Sequence, residues 1–324
     1  MSEITHRTVE TNGIRMHVAE QGAGPLVILC HGFPESWYSW RHQLAALAAA
    51  GFHAVAPDMR GYGQTDAPAE IEAYTLLHLI GDMVGLVGAL GEKSAVIAGH
   101  DWGAPVAWHA ALLRPDVFRA VIGLSVPFRP RGKMQPTTVM PRTEQTMFYQ
   151  LYFQTPGMPE ADLEADVHAS MRDVLLRLSG DVPPLPGPER FSMVPLAGGL
   201  RVRMSDYQSR ALPPWLSEAD LDFYVGEFSR SGFRGGLNWY RNIDRNWALL
   251  SPFAGAKIVS PALYLAGDQD VVLSFPGMNE LVTNLKAHVP KLRQTIILPG
   301  CGHWIQQERH RPVNAAMLSF LQSL

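Results

Sequence analysis

Two rhythms of hydrophobic and polar positions divide the chain. In the first, short unbroken apolar runs alternate with longer stretches of helical spacing. Pro25–Cys30, His53–Asp58, Ala95–Ala98 and Arg119–Ser125 are too continuously apolar to be half-exposed strands, and read as strands covered on both faces. Trp40–Ala50 and Leu76–Leu90 read as helices between them, stopped by Gly51 and Gly91. Two earlier runs, Thr8–Glu10 and Arg15–Glu20, meet at Asn12-Gly13, a dipeptide suited to a tight hairpin. The second rhythm runs from about Arg129 to Trp247. No apolar strand run is expected there, and Met, Phe and Tyr recur in three stretches expected to be helical, Arg142–Phe153, Glu160–Leu178 and Glu218–Gly232. Prolines at 183, 184, 186 and 188 forbid helix between the last two. Pro183 and Pro186 have the spacing of a PxxP ligand, but a lid loop is the preferred reading. The first rhythm then returns, with strands Pro261–Ala266 and Gln294–Leu298, a helix over Phe275–His288 and a closing helix Asn314–Leu324.

Strand–helix alternation predicts an α/β fold with a mostly parallel, doubly wound sheet. The interruption predicts a helical lid (cap) domain over residues 129–247, inserted into a core formed by 1–128 and 248–324. In such sheets ligands bind beyond the carboxyl ends of the strands, where the loops after Cys30, Ala98 and Ser125 should crowd together.

At one of those ends the chain reads Gly99-His100-Asp101-Trp102-Gly103 before a helical pattern begins. Glycines two residues either side of Asp101 match a nucleophile elbow, a strand-to-helix turn too sharp for flanking side chains. Aspartate stands where serine is usual. Asp270 and His303 follow the two late strands, so the order along the chain is Asp101, acid, histidine, as in α/β-hydrolases. Each residue has an ordinary alternative: a helix cap for Asp101, a turn for Asp270, a loop histidine for His303. Their joint placement at strand ends favours a triad.

Aspartate is ordinarily ionised at neutral pH and needs no base to attack. Its attack on carbon gives an alkyl ester of Asp101, which a water activated by His303 would hydrolyse while Asp270 orients the imidazole. The backbone N–H groups of Phe33 and Trp102 are placed to hold the oxyanion. The leaving group decides the activity: an epoxide oxygen needs an acid such as tyrosine, whereas a halide needs N–H donors.

Composition narrows the field. A net charge of −3 with no basic block argues against a nucleic-acid partner. No apolar run is long enough to span a membrane, and the start lacks the form of a signal peptide. With two cysteines and no metal-ligand spacing, free thiols in a cytoplasmic enzyme without metal or cofactor are expected.

The chain resembles the epoxide hydrolases of the α/β-hydrolase superfamily across essentially its whole length, especially the hydrolase domain of the soluble epoxide hydrolases, without their additional phosphatase domain. The matching pieces are His31–Arg41, Gly99–Gly103, Phe148–Gly157, Ser231–Asn242 and Cys301–Trp304. The two lid motifs are the specific ones. The resemblance implies a small-molecule epoxide and water as reactants, and Tyr149 and Tyr240 as donors to the epoxide oxygen. It also implies substrate contacts from Pro34, Gln150, Phe153, Trp239, Val272 and Trp304, beside Phe33 and Trp102. Of the two candidate acids, Asp268 and Asp270, the resemblance selects Asp270; the alternative position after Ser125 offers only Val126-Pro127. Tyr152, Tyr207 and Tyr224 are expected to be core aromatics. The alternatives are a haloalkane or haloacid dehalogenase using the same nucleophile and base, and a non-catalytic receptor. A monomer or homodimer is expected.

Overall fold

The computed structural model describes residues 3–184, 192–204 and 206–324. Pro186 and Pro188, and with them the PxxP reading, lie outside the described residues. Ten strands occur among them: β1 (Thr5–Thr11), β2 (Ile14–Gln21), β3 (Leu26–Cys30), β4 (His53–Pro57), β5 (Ala95–His100), β6 (Phe118–Leu124), β7 (Thr146–Phe148), β8 (Met193–Pro195), β9 (Ala262–Gly267) and β10 (Leu292–Leu298). Eight form one sheet in the order β1-β2-β4-β3-β5-β6-β9-β10. The β1–β2 hairpin and the β2–β4 pair are antiparallel, and the remaining pairs are parallel.

The continuous apolar runs are explained by burial on both faces. Leu26, Ile28 and Cys30 of β3 join one core cluster, while Val27 and Leu29 join the other. Register then aligns the strand ends. Cys30 lies opposite Gly99, Gly99 opposite Gly123, and Gly123 opposite Tyr264, so the loops after β3, β5, β6 and β9 leave the sheet side by side.

Elements over residues 136–249 interrupt the sheet's strands, and their interior differs from the expected helices. Thr146–Phe148 is a strand, paired antiparallel with Met193–Pro195, so only Tyr149–Tyr152 of the expected Arg142–Phe153 helix is helical. Long-range pairing overrides local spacing here. The expected Glu160–Leu178 helix is two helices, Met158–Leu163 and Val167–Arg177, because the Asp166 side chain accepts from Ala169 N–H and starts a new helix. Glu218–Ser231 forms as expected, opened by a Ser217–Asp220 capping box. In the core, Pro276-Gly277 delays the helix expected from Phe275 until Met278–Thr283. Cys30 and Cys301 are buried, free thiols. Among the described residues, no helix is long and apolar enough to cross a membrane.

Candidate active site

The β5 strand ends in an abrupt turn at Asp101, whose φ of 50° lies in the left-handed region that side chains rarely adopt. The flanking glycines are needed for close approach: a Cβ on Gly99 would strike the Gly103 carbonyl, and one on Gly103 would strike that of Cys30. The helix Gly103–Leu113 follows at once, which leaves the Asp101 carboxylate at the sheet edge.

Both oxygens of that carboxylate have distinct surroundings. Oδ1 accepts the Phe33 N–H at 2.8 Å, and Oδ2 stands 3.4 Å from His303 Nε2. His303 Nδ1 lies 3.0 Å from Asp270 Oδ1, which also accepts Val272 N–H at 3.0 Å. The structure thus brings Asp101, His303 and Asp270 into one hydrogen-bonded line from three strand ends, with Phe33 N–H and Trp102 beside it.

The electrostatics of the histidine follow from its two anionic neighbours. Burial alone would lower the His303 pKa, but Asp270 and Asp101 on either side outweigh it and hold the imidazole well above its ordinary value. Its charged form is thereby favoured in the free enzyme. Burial likewise opposes ionisation of Asp270, yet the charge and hydrogen bond of His303 keep its carboxyl below the usual range.

The interrupted region supplies the opposite wall. Tyr149 and Tyr240 face the same cleft as Asp101 and His303, their rings 5.9 Å apart. Burial and the nearby Asp101 charge push both phenols far above their ordinary pKa, so both stay protonated. The Gln150 amide donates to the Tyr149 hydroxyl at 2.9 Å, a bond that uses an oxygen lone pair rather than the phenolic proton. The Tyr240 ring packs edge-on to Trp102, Phe33 and Phe153. Tyr152, three residues from Tyr149, donates instead to Asp162 at 2.6 Å and does not line the cleft.

The cleft is walled mostly by apolar side chains, with Asp101, His303, Tyr149 and Tyr240 facing it. Phe33, Pro34, Phe153 and Val272 line it as expected from the sequence. Gln150, Trp239 and Trp304 stand behind the lining. Gln150 supports Tyr149, and the two indoles are fully buried, donating to the carbonyls of Arg60 and Leu175. Their N–H groups are committed to backbone, so they shape the wall without touching the space inside.

Three polar groups beside the site escaped the sequence reading. Ser125, at a φ of 67°, places its hydroxyl 3.1 Å from His303 Nδ1. It directly precedes Val126-Pro127, the alternative acid position, which carries no carboxylate. His100 has one ring nitrogen 2.8 Å from Glu35 and the other 2.7 Å from the His303 carbonyl, and Glu35 also accepts Gly32 N–H at 2.8 Å. Burial disfavours ionised Glu35, but His100 and the bonds around it bring the carboxyl down to about 2. This buried pair ties the Gly32-Phe33 loop to the His303 loop. The only sequence signal was their position next to Phe33 and Asp101.

A family model for the alpha/beta hydrolase fold matches residues 25–309. The chain is 45% identical to "Epoxide hydrolase A" of Mycobacterium tuberculosis (strain ATCC 25618 / H37Rv), over 100% of this chain and 99% of that protein. It is 40% identical to "Bifunctional epoxide hydrolase 2" of Sus scrofa over 96% of this chain and 54% of that longer protein. Among solved structures, an epoxide hydrolase from an endophytic Streptomyces superposes with a TM-score of 0.93 at 47% identity, covering 99% of this chain and 96% of that one. One from Vigna radiata gives 0.89 at 40% identity, covering 100% and 99%.

Proposed function

The chain belongs to the epoxide hydrolases of the α/β-hydrolase fold family, and from that premise we propose how its residues convert an epoxide to a vicinal diol. The observation that carries the reading is the divided environment of Asp101. One oxygen is held by a backbone N–H and the other faces the histidine, with two protonated phenols across the same cleft.

Asp101 Oδ2 attacks an epoxide carbon. The ring C–O bond breaks, and the departing oxygen takes a proton from Tyr149 or Tyr240. An alkyl ester forms, with Oδ1 as its carbonyl oxygen at the Phe33 and Trp102 N–H groups. The ester carries no charge, so His303 loses one of its two anionic neighbours and its proton affinity falls. The proton it sheds balances the one the phenol gave. Neutral His303 then takes a proton from water, whose hydroxide adds to the Asp101 carbonyl carbon, and the N–H pair holds the oxyanion on Oδ1. Collapse breaks the ester C–O bond, and His303 protonates the departing alkoxide. The regenerated acid returns its proton to His303, which restores the starting state.

Residues 129–247 act as a lid that carries the two phenols and shields the ester from bulk water. We read the enzyme as a cytoplasmic monomer or homodimer. The dehalogenase alternative is not favoured. A halide calls for N–H donors, whereas phenols face Asp101.

A single turnover in heavy-oxygen water tests the two-step course. Label should enter Asp101 and be absent from the first diol. Labelled diol in that turnover would show direct attack by water and defeat the reading.

A further inference from the structure

A buried carboxylate that this chemistry does not use sits behind the catalytic histidine. Glu308 is 7% exposed. Its Oε2 accepts Gly302 N–H at 2.9 Å and Gly180 N–H at 3.0 Å, and its Oε1 accepts Trp304 N–H at 3.0 Å. Gly302 and Trp304 flank His303. Gly180 follows the helix Val167–Arg177 of the inserted region. One side chain therefore bonds the histidine loop and a segment more than a hundred residues away.

The two segments meet backbone to backbone. His303 N–H donates to the Leu178 carbonyl at 2.9 Å. A Cβ on Gly180 would strike Gly302 N, and one on Gly302 would strike Gly180 N and the Leu178 carbonyl. At the two glycines backbone meets backbone directly, and hydrogen bonds set the register, with the Trp304 indole donating to the Leu175 carbonyl at 2.9 Å beside them. A second strut lies outside it, where Arg309 pairs with Asp181 at 2.7 Å and also donates to the Gly300 carbonyl. Leu178, Val174 and Arg177, from the same segment, line the cleft together with His303.

We propose that Glu308 is a positioning residue for ester hydrolysis: it locks the Gly302–Trp304 loop against the end of the inserted helix and so sets where His303 Nε2 stands over the Asp101 ester. The proposal rests on the two-step reading above. Alkylation needs Asp101, held by the elbow, and the phenols, held by the lid. Hydrolysis alone needs Nε2 within reach of a water at the ester carbon, and misplacement by about 1 Å costs on the order of 100-fold. Glu308→Gln keeps the side-chain size but turns an amide NH2 toward one of the three N–H donors, which loosens the lock.

Rapid-mixing single turnovers with trans-stilbene oxide, read by intact-protein mass, separate the two steps. In Glu308→Gln, alkylation should stay within about 2-fold of wild type while hydrolysis slows about 10- to 100-fold. The ester should then accumulate at steady state, with kcat and KM falling together and kcat/KM unchanged. Parallel loss of both steps, or no change in hydrolysis, overturns the proposal. Gly180→Ala should give the same pattern from the lid side, and decides the matter if Glu308→Gln does not fold; unchanged hydrolysis there also overturns it. Absence of any Asp101 adduct in the wild type would instead remove the two-step reading itself, a distinguishable failure.

Discussion

The sheet edge and the inserted region do different work in one cleft. The sheet edge holds Asp101, Asp270 and His303, on turns that follow β5, β9 and β10 of one parallel run of strands. Register between hydrogen-bonded strands fixes those positions, and a turn as tight as the one at Asp101 leaves little freedom. The inserted region holds the phenols and most of the apolar wall on short helices packed through aromatic edges. Rigid strand ends suit groups that must meet within hydrogen-bond distance. Packed helices suit a wall whose shape decides what enters.

That contrast can be broken most sharply at the nucleophile. Asp101→Ala should lower turnover by about 10⁴-fold or more and leave no covalent mass adduct, because no other group on the sheet edge can form the ester. Residual turnover near the wild-type rate would reassign the nucleophile.

Next come the phenols. Tyr149→Phe or Tyr240→Phe alone should slow alkylation about 100-fold, as loss of one preorganised donor does, and the double variant should slow it further. Rapid mixing reads this step apart from hydrolysis. Alkylation at the wild-type rate in the double variant would mean that the acid lies on the sheet edge after all.

Protonation offers a subtler test. Asp270 and Asp101 both raise the His303 pKa, so removing the Asp101 charge should lower it. An NMR titration of the imidazole in Asp101→Ala checks the direction. The same sign governs the ester: hydrolysis should weaken as pH falls below the lowered value, because protonated His303 cannot accept a proton. An unchanged titration would uncouple the two residues.

The smallest effect belongs to the wall. Phe275 lines the cleft and packs edge-on to Phe148 at 5.5 Å. Phe275→Ala should shift relative kcat/KM between a bulky and a small epoxide by about 10-fold. The alkylation chemistry of the small substrate should hardly change. A matching loss for both substrates would show that the wall also positions the reacting groups.

The chain's own order of residues determined what depends on near neighbours. Unbroken apolar runs specify strands covered on both faces, and glycines at 99 and 103 specify a turn that only close backbone approach can make. The strand ends carrying Asp101, Asp270 and His303 were legible for that reason, and the phenols through lid motifs resembling a known family. Folding decided what depends on distant partners. Pairing of Thr146–Phe148 with Met193–Pro195 replaced an expected helix, and Asp166 divided another by capping. Against the pull of burial, two carboxylates brought to either side of His303 raised its pKa. Ser125, the Glu35–His100 pair and Glu308 show nothing by themselves in the sequence. Each has a partner that stands scores of residues away, and a hydrogen bond acts only across a few ångströms that the finished packing alone provides.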